Sequence, residues 1–224
     1  MFIDLTKLLD CCEMTIKDLS NKLGQLERIT TNQVHGAIEW TLDDVEKLED
    51  LFKLSISGLM DCSEEKLLFV DYDQTLVGHD YPVDYETSTD AYADFLCQLT
   101  RPDIHAGDTI VQAVADFINN AAKGGAKVYI LTHALSNLRD RGMLDTVHRA
   151  CPDVSDIELI TVSQREYKVD MIRAVAASRN VPILNCTLID DMQNTIREAA
   201  TIGIKTLRTV SVCAQWEANR VEKD

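Results

Sequence analysis

From Lys66 onward the chain alternates short apolar runs with amphipathic segments, and that alternation leaves few folds open. The runs "KLLFVD" (66–71), "AKVYILT" (126–132), "IELITV" (157–162), "ILNCTLID" (183–190) and "IKTLRT" (204–209) read as buried strands. Between them, "TDAYADFLCQL" (89–99), "DTIVQAVADFINNAAK" (108–123), "LSNLRDRGMLDTVHRA" (135–150), "KVDMIRAVAASRN" (168–180) and "QNTIREAATIG" (193–203) read as helices. Gly124-Gly125 and Gly203 stand just before strands, where a helix can end in a left-handed residue. Apolar strands alternating with amphipathic helices require a parallel sheet covered on both faces, a three-layer Rossmann-like α/β fold. In such sheets ligands bind at the carboxyl ends of the strands.

That rule gives a place to an otherwise costly feature. "LLFVDYDQTL" (67–76) runs from a core strand straight into Asp71, with Asp73 two residues on. A buried charge costs several kcal/mol unless something compensates it. Other strands also end in polar residues: Thr132, Ser163, and Asp190 with Asp191 behind it. If these strands are neighbours, several carboxylates meet in one crevice and cannot all stay ionised without a cation. Oxygen donors suit a hard divalent ion, Mg2+ above all. Each residue also has a plainer reading. Asp190 and Asp191 fit the cap of the helix behind them. Thr132 fits a hydroxyl bonded within its own turn. Lys168 fits a solvated first-turn lysine, with Lys66 and Lys205 as surface alternatives. The histidines show no ligand spacing.

"DYDQT", "ILT", Lys168 and "LIDD", in that order, resemble the four motifs of the haloacid dehalogenase superfamily, over residues 66 to about 210. The resemblance implies a haloacid dehalogenase-like fold and Mg2+-dependent phosphomonoester hydrolysis. It implies that Asp71 is the nucleophile and Asp73 the general acid and base. Thr132 and Lys168 would bind the phosphoryl group. Asp71, the backbone carbonyl of Asp73 and Asp190 would hold the metal, while Thr75, Asp191 and Asn194 would support the site. An acid at position 73 favours attack on phosphorus, since relatives that attack carbon typically lack it. The family often carries a cap domain. Residues 77 to 107, with Tyr81, Tyr85 and Tyr92, are too short for a full helical cap, so a small lid or none is expected.

Residues 1–62 read as helices only, which makes 63–224 the expected phosphohydrolase domain. "TIKDLSNKLG" and "TLDDVEKLEDLFKL" each open with a Thr and an Asp at capping-box spacing, Thr15 with Asp18 and Thr41 with Asp44. The second is expected to bury Leu42, Val45, Leu48, Leu51 and Phe52. A further helix is expected to end near Gly36. The segment resembles Cro/repressor-type helix-turn-helix modules, which implies DNA binding through residues near Thr30 to Val34. Charge opposes that role: residues 1–65 carry six basic side chains against fourteen acidic ones, a net of −8. A DNA-binding surface is usually basic. A protein partner or a second copy of the chain is therefore the better expectation.

The whole chain has a net charge of −15, which disfavours nucleic acids and anionic membranes. No apolar run is long enough to span a bilayer, and "MFIDLTKLLDCCEM" lacks the basic-then-apolar pattern of a secretory leader. Seven scattered cysteines without a C-x-x-C suit reduced thiols in a cytoplasmic protein. Three functions follow, in order of fit: a phosphatase, a regulator whose phosphatase-like domain senses a phosphorylated ligand, and an assembly module with vestigial chemistry.

Overall fold

A computed structural model of the chain describes residues 5–55, 58–59, 64–78, 109–133, 139–162 and 167–221. The helix expected at 89–99, the lid region with its tyrosines and the strand-end Ser163 lie outside these residues. The centre is a five-stranded parallel sheet: β1 (Lys66–Val70), β4 (Ala126–His133), β5 (Ile157–Val162), β6 (Cys186–Asp190) and β7 (Lys205–Arg208), in the order β5-β4-β1-β6-β7. β1 lies between β4 and β6, with Leu68 opposite both Val128 and Thr187. The chain steps outward from β1 to β4 and β5, then returns to the other side of β1 for β6 and β7. That reversal opens a crevice at the carboxyl end of β1, the usual ligand position in a doubly wound sheet. The expected three-layer, Rossmann-like fold is present.

Strand periodicity explains the two packed faces. Leu68 and Val70 face a core shared with α5 (Gln112–Lys123), α6 (Arg139–Ala150) and α9 (Thr209–Val221), through Val114, Ile118, Met143, Val147 and Val212. Leu67 and Phe69 face α7 (Lys168–Ser178) and α8 (Gln193–Thr201), through Val169, Ile172, Ala176 and Ala199. The Phe69 and Tyr129 rings stack with centroids 5.0 Å apart. Each fully buried side chain of this size stabilises the fold by roughly 1.5–3 kcal/mol. Gly125 and Gly203 adopt φ of 87° and 93° before β4 and β7, as their positions demand.

Several local expectations are corrected. Thr109 and Ile110, expected as helix, form β3, paired antiparallel with β2 (Val77–Gly78). Ile183–Asn185, expected as strand, is a 3-10 turn ahead of β6. Thr209 opens α9, a helix not expected from the sequence, because Thr209, Val210 and Val212 give its start the look of a strand. Leu42 is 76% exposed: it occupies the first position of its helix, one turn short of the packed stripe.

The N-terminal residues form α1 (Thr6–Cys11), α2 (Ile16–Leu23), α3 (Glu27–Val34) and α4 (Leu42–Phe52). Both capping boxes are made, and Gly24 closes α2 at φ 66°. Leu5, Leu8, Leu19, Val34, Trp40, Leu48 and Phe52 build a separate core, against which Leu184 of the 3-10 turn packs. Thr30, Gln33 and Val34 are buried, with the Gln33 amide donating to Asp44 at 3.1 Å. Among the described residues no helix is long and apolar enough to cross a membrane.

Candidate active site

Asp71 directly follows β1, and Asp190 is the last residue of the adjacent β6. Hydrogen bonding between the strands continues past β1, with the Asp71 N–H donating to the Ile189 carbonyl at 2.9 Å. The two acids are thus fixed side by side; Asp71 is 5% exposed and Asp190 fully buried. Lys168, the first residue of α7, reaches both. Its Nζ lies 2.6 Å from Asp71 Oδ1 and 2.8 Å from Asp190 Oδ2. The other Asp190 oxygen accepts the Met192 N–H at 2.8 Å, so this residue serves the start of α8 and the crevice together. Lys66 is largely exposed and pairs with Glu13, and Lys205 is exposed; neither is the site lysine.

The loop after Asp71 turns tightly. The Tyr72 carbonyl accepts the N–H groups of Leu76 at 3.0 Å and Val77 at 3.1 Å, and Gln74 takes φ 59°. This brings Asp73 beside the end of β4, where the buried Thr132 hydroxyl donates a long hydrogen bond to Asp73 Oδ2 at 3.4 Å. Thr75 is fully buried and shares a 3.1 Å hydrogen bond with the Thr209 hydroxyl at the start of α9. Asn194 is exposed on the first turn of α8, outside the buried cluster.

The electrostatics follow from burial. Burial pushes the Asp71 carboxyl up to about 8; Lys168 opposes the rise, while Asp190 and Asp73 add to it. Burial also raises Asp191, helped by Asp190. Burial works against the Lys168 ammonium, yet Asp71 and Asp190 outweigh it and hold its pKa above the usual lysine range. Carboxylate oxygens of Asp71, Asp190 and Asp191 all lie within 4.8 Å of one another. Such a set of hard oxygen donors, with the Asp71 and Asp191 carboxyls both pushed up by burial and by Asp190, fits a divalent cation such as Mg2+.

Asp71, Asp190 and Lys168 therefore come together, Thr132 and Asp73 meet beside them, and Thr75 anchors the turn through Thr209. Asp191, expected only to support the site, contributes a carboxylate to the cluster itself. Its adjacency to Asp190 was the available signal. Thr209 was missed: a threonine at a strand end carries no mark of a partner far away in the chain. Thr209→Val should leave the Thr75 hydroxyl buried without its partner, a loss of about 1–3 kcal/mol. Urea denaturation measures it, and Thr209→Ser should restore most of the loss.

The described residues define a doubly wound α/β protein with a buried carboxylate–lysine cluster at its switch point. No family model matches the chain, and no curated protein matches it. Among solved structures it is similar to a putative HAD-like phosphatase from Mesorhizobium loti, at 13% identity and a TM-score of 0.46, over 69% of this chain and 85% of that one. It is also similar to the D,D-heptose 1,7-bisphosphate phosphatase of Burkholderia thailandensis, at 11% identity and a TM-score of 0.45, over 69% and 97% of the two chains. A third is a HAD family enzyme from Bacteroides thetaiotaomicron in complex with magnesium, at 13% identity and a TM-score of 0.43, over 64% and 92%. Similarity at this level is weak, and the site's own geometry is what bears on function.

Proposed function

We propose that the protein is a Mg2+-dependent phosphatase of the haloacid dehalogenase type, hydrolysing phosphomonoesters through an aspartyl-phosphate. The observation that carries this reading is Lys168 bridging Asp71 and Asp190 at 2.6 and 2.8 Å in a buried crevice. Asp71, Asp190 and Asp191, with the Asp73 backbone carbonyl, would hold Mg2+, whose charge would neutralise the phosphoryl oxygens and favour the ionised Asp71 carboxylate. A carboxylate oxygen of Asp71 forms a bond to phosphorus while the bond to the leaving oxygen breaks. Asp73 gives that oxygen its proton. It then takes a proton from the water that attacks the aspartyl-phosphate, releasing inorganic phosphate and restoring Asp71. Lys168 and Thr132 donate to the phosphoryl oxygens and offset their repulsion with Asp71. Asp191 completes the carboxylate set, and Thr75 holds the turn that carries Asp73. With Mg2+, p-nitrophenyl phosphate should be hydrolysed; chelation should abolish turnover, and an undiminished rate in chelator would remove the proposal.

Residues 1–62 form, on this reading, a module that engages a protein rather than DNA. Its acidity supports this, as does the exposure of Leu26 and Leu42, 70% and 76% exposed. The Gln25–Asp44 hydrogen bond draws these two leucines' segments together. Random duplex DNA should give no gel shift even at low salt, where phosphate attraction is strongest. The buried Cys151 and Cys186 thiols, both pushed up to about 12 by burial, suit reduced, unreactive cysteines in the cytoplasm.

A further inference from the structure

Among the described residues after Lys66, the exposed large apolar side chains share one location. Tyr167, Met192 and Val210 are 64%, 54% and 60% exposed. They stand at the starts of α7, α8 and α9, the three helices that follow β5, β6 and β7. All three starts lie at the carboxyl end of the sheet. Each residue is next to, or is itself, a residue bonded into the site. Tyr167 precedes Lys168, whose Nζ is 2.6 Å from Asp71. The Met192 N–H donates to Asp190 at 2.8 Å. Val210 follows Thr209, whose hydroxyl is 3.1 Å from that of Thr75.

Single exposed apolar residues are ordinary, but three at helix starts on one end of the sheet, each beside a site residue in sequence, ask for a reason. Local structure does not ask for them. Helix starts favour Ser, Thr, Asp or Asn, whose side chains accept a free backbone N–H. Tyr167 and Met192 occupy the cap positions of α7 and α8 and make no such bond. Ligand sites commonly pair a few convergent polar groups with apolar walls. Here the polar groups are buried, and the apolar ones stand exposed at the helix starts beside them in sequence. The net charge of −15 also disfavours a leaving group that brings further negative charge.

We propose that Tyr167, Met192 and Val210 form an apolar rim that receives the leaving group, so that the substrate is a phosphomonoester of an alkyl or aryl alcohol. This rests on the phosphatase reading. The test is a homologous series, ethyl, butyl and hexyl phosphate, hydrolysed by the full chain with Mg2+. Leaving-group chemistry is matched across the series, and only apolar area changes. From ethyl to hexyl, kcat/KM should rise about 10-fold or more, mostly through KM, because apolar burial gains roughly 4-fold per methylene when complete and less at an open rim. In Tyr167→Ser/Met192→Ser, the dependence on chain length should flatten. A flat series in the wild-type protein, or an unchanged slope in the variant, overturns the proposal. A lower KM for 1-naphthyl phosphate than for phenyl phosphate, whose aryl leaving groups are matched, supports it, and comparison with a phosphotyrosyl peptide separates a small-molecule ester from a protein side chain. If no ester is hydrolysed, the phosphatase reading fails. Ethyl- and hexylphosphonate, compared by thermal shift with Mg2+, then decide the rim alone. A larger shift with hexylphosphonate that the variant loses sustains it; equal shifts end it.

Discussion

Asp71→Asn should abolish hydrolysis and, in the same protein, raise the melting temperature of the metal-free chain. The loss of activity follows from removal of the proposed nucleophile, and a fall of about 10⁴-fold or more in kcat is the scale for such a group. The gain in stability follows from burial. The folded protein pushes the Asp71 carboxyl up to about 8, whereas an unfolded chain releases that proton near 4. Between those values the folded state holds the proton more tightly. Its contribution to stability is fully present below pH 4 and is lost as pH rises to about 8. At pH 7 the ceiling on the destabilisation is about 4 kcal/mol, from roughly three units at 1.36 kcal/mol each. An asparagine carries no charge to suppress, but it weakens the partnership with Lys168, so a net gain of about 1–2 kcal/mol is expected. Urea denaturation without metal at pH 5 and pH 8 measures it. The wild-type protein should lose stability across that interval relative to the variant, and Mg2+ should restore it only in the wild type. A variant less stable than the wild type at pH 8 would show that Asp71 is not held under this strain.

Lys168→Met should have the opposite effect on stability. It removes the only cation that the described residues place between Asp71 and Asp190, leaving two buried carboxyls face to face. Deleting one partner of a buried ion pair typically costs 3–5 kcal/mol. Part of that is relieved as Asp71 keeps its proton, so a loss of about 3 kcal/mol at pH 7 is expected, shrinking as pH falls toward 5. Added Mg2+ should recover much of the loss, because a divalent cation meets the same carboxylates. Catalysis should fall by about 10²–10³-fold, the scale for losing one preorganised group at the transferring centre. Thermal denaturation with and without Mg2+, beside initial rates on p-nitrophenyl phosphate, checks each part. Undiminished stability would mean that Lys168 is solvated after all.

The site was legible in the chain to different depths. Asp71 and Asp190 could be read because an apolar run ending in an acid is locally improbable, and β1 and β6 each end that way. Lys168 was readable only through the order of motifs; nothing within its own helix separates it from Lys66 or Lys205. Leu42 was misread because a helical stripe says which side faces inward but not where the neighbouring helix stops. Thr109 and Ile110 were drawn into the α5 pattern, although their pairing with Val77 and Gly78 joins segments distant in sequence.

By itself, the order of residues settled the alternation of strands and helices, the parallel sheet that this alternation requires, and the acids at the strand ends. Those follow from near neighbours, through side-chain periodicity and the free energy of burying apolar surface. Tertiary structure alone decided that β1 lies between β4 and β6, that Lys168 bridges acids carried by those strands, that Asp191 joins them, and that Thr75 meets Thr209. Those partners are 22 residues apart for Lys168 and Asp190 and 134 for the two threonines. No local preference encodes such meetings. They arise because closing the sheet leaves one crevice where these groups satisfy one another away from water.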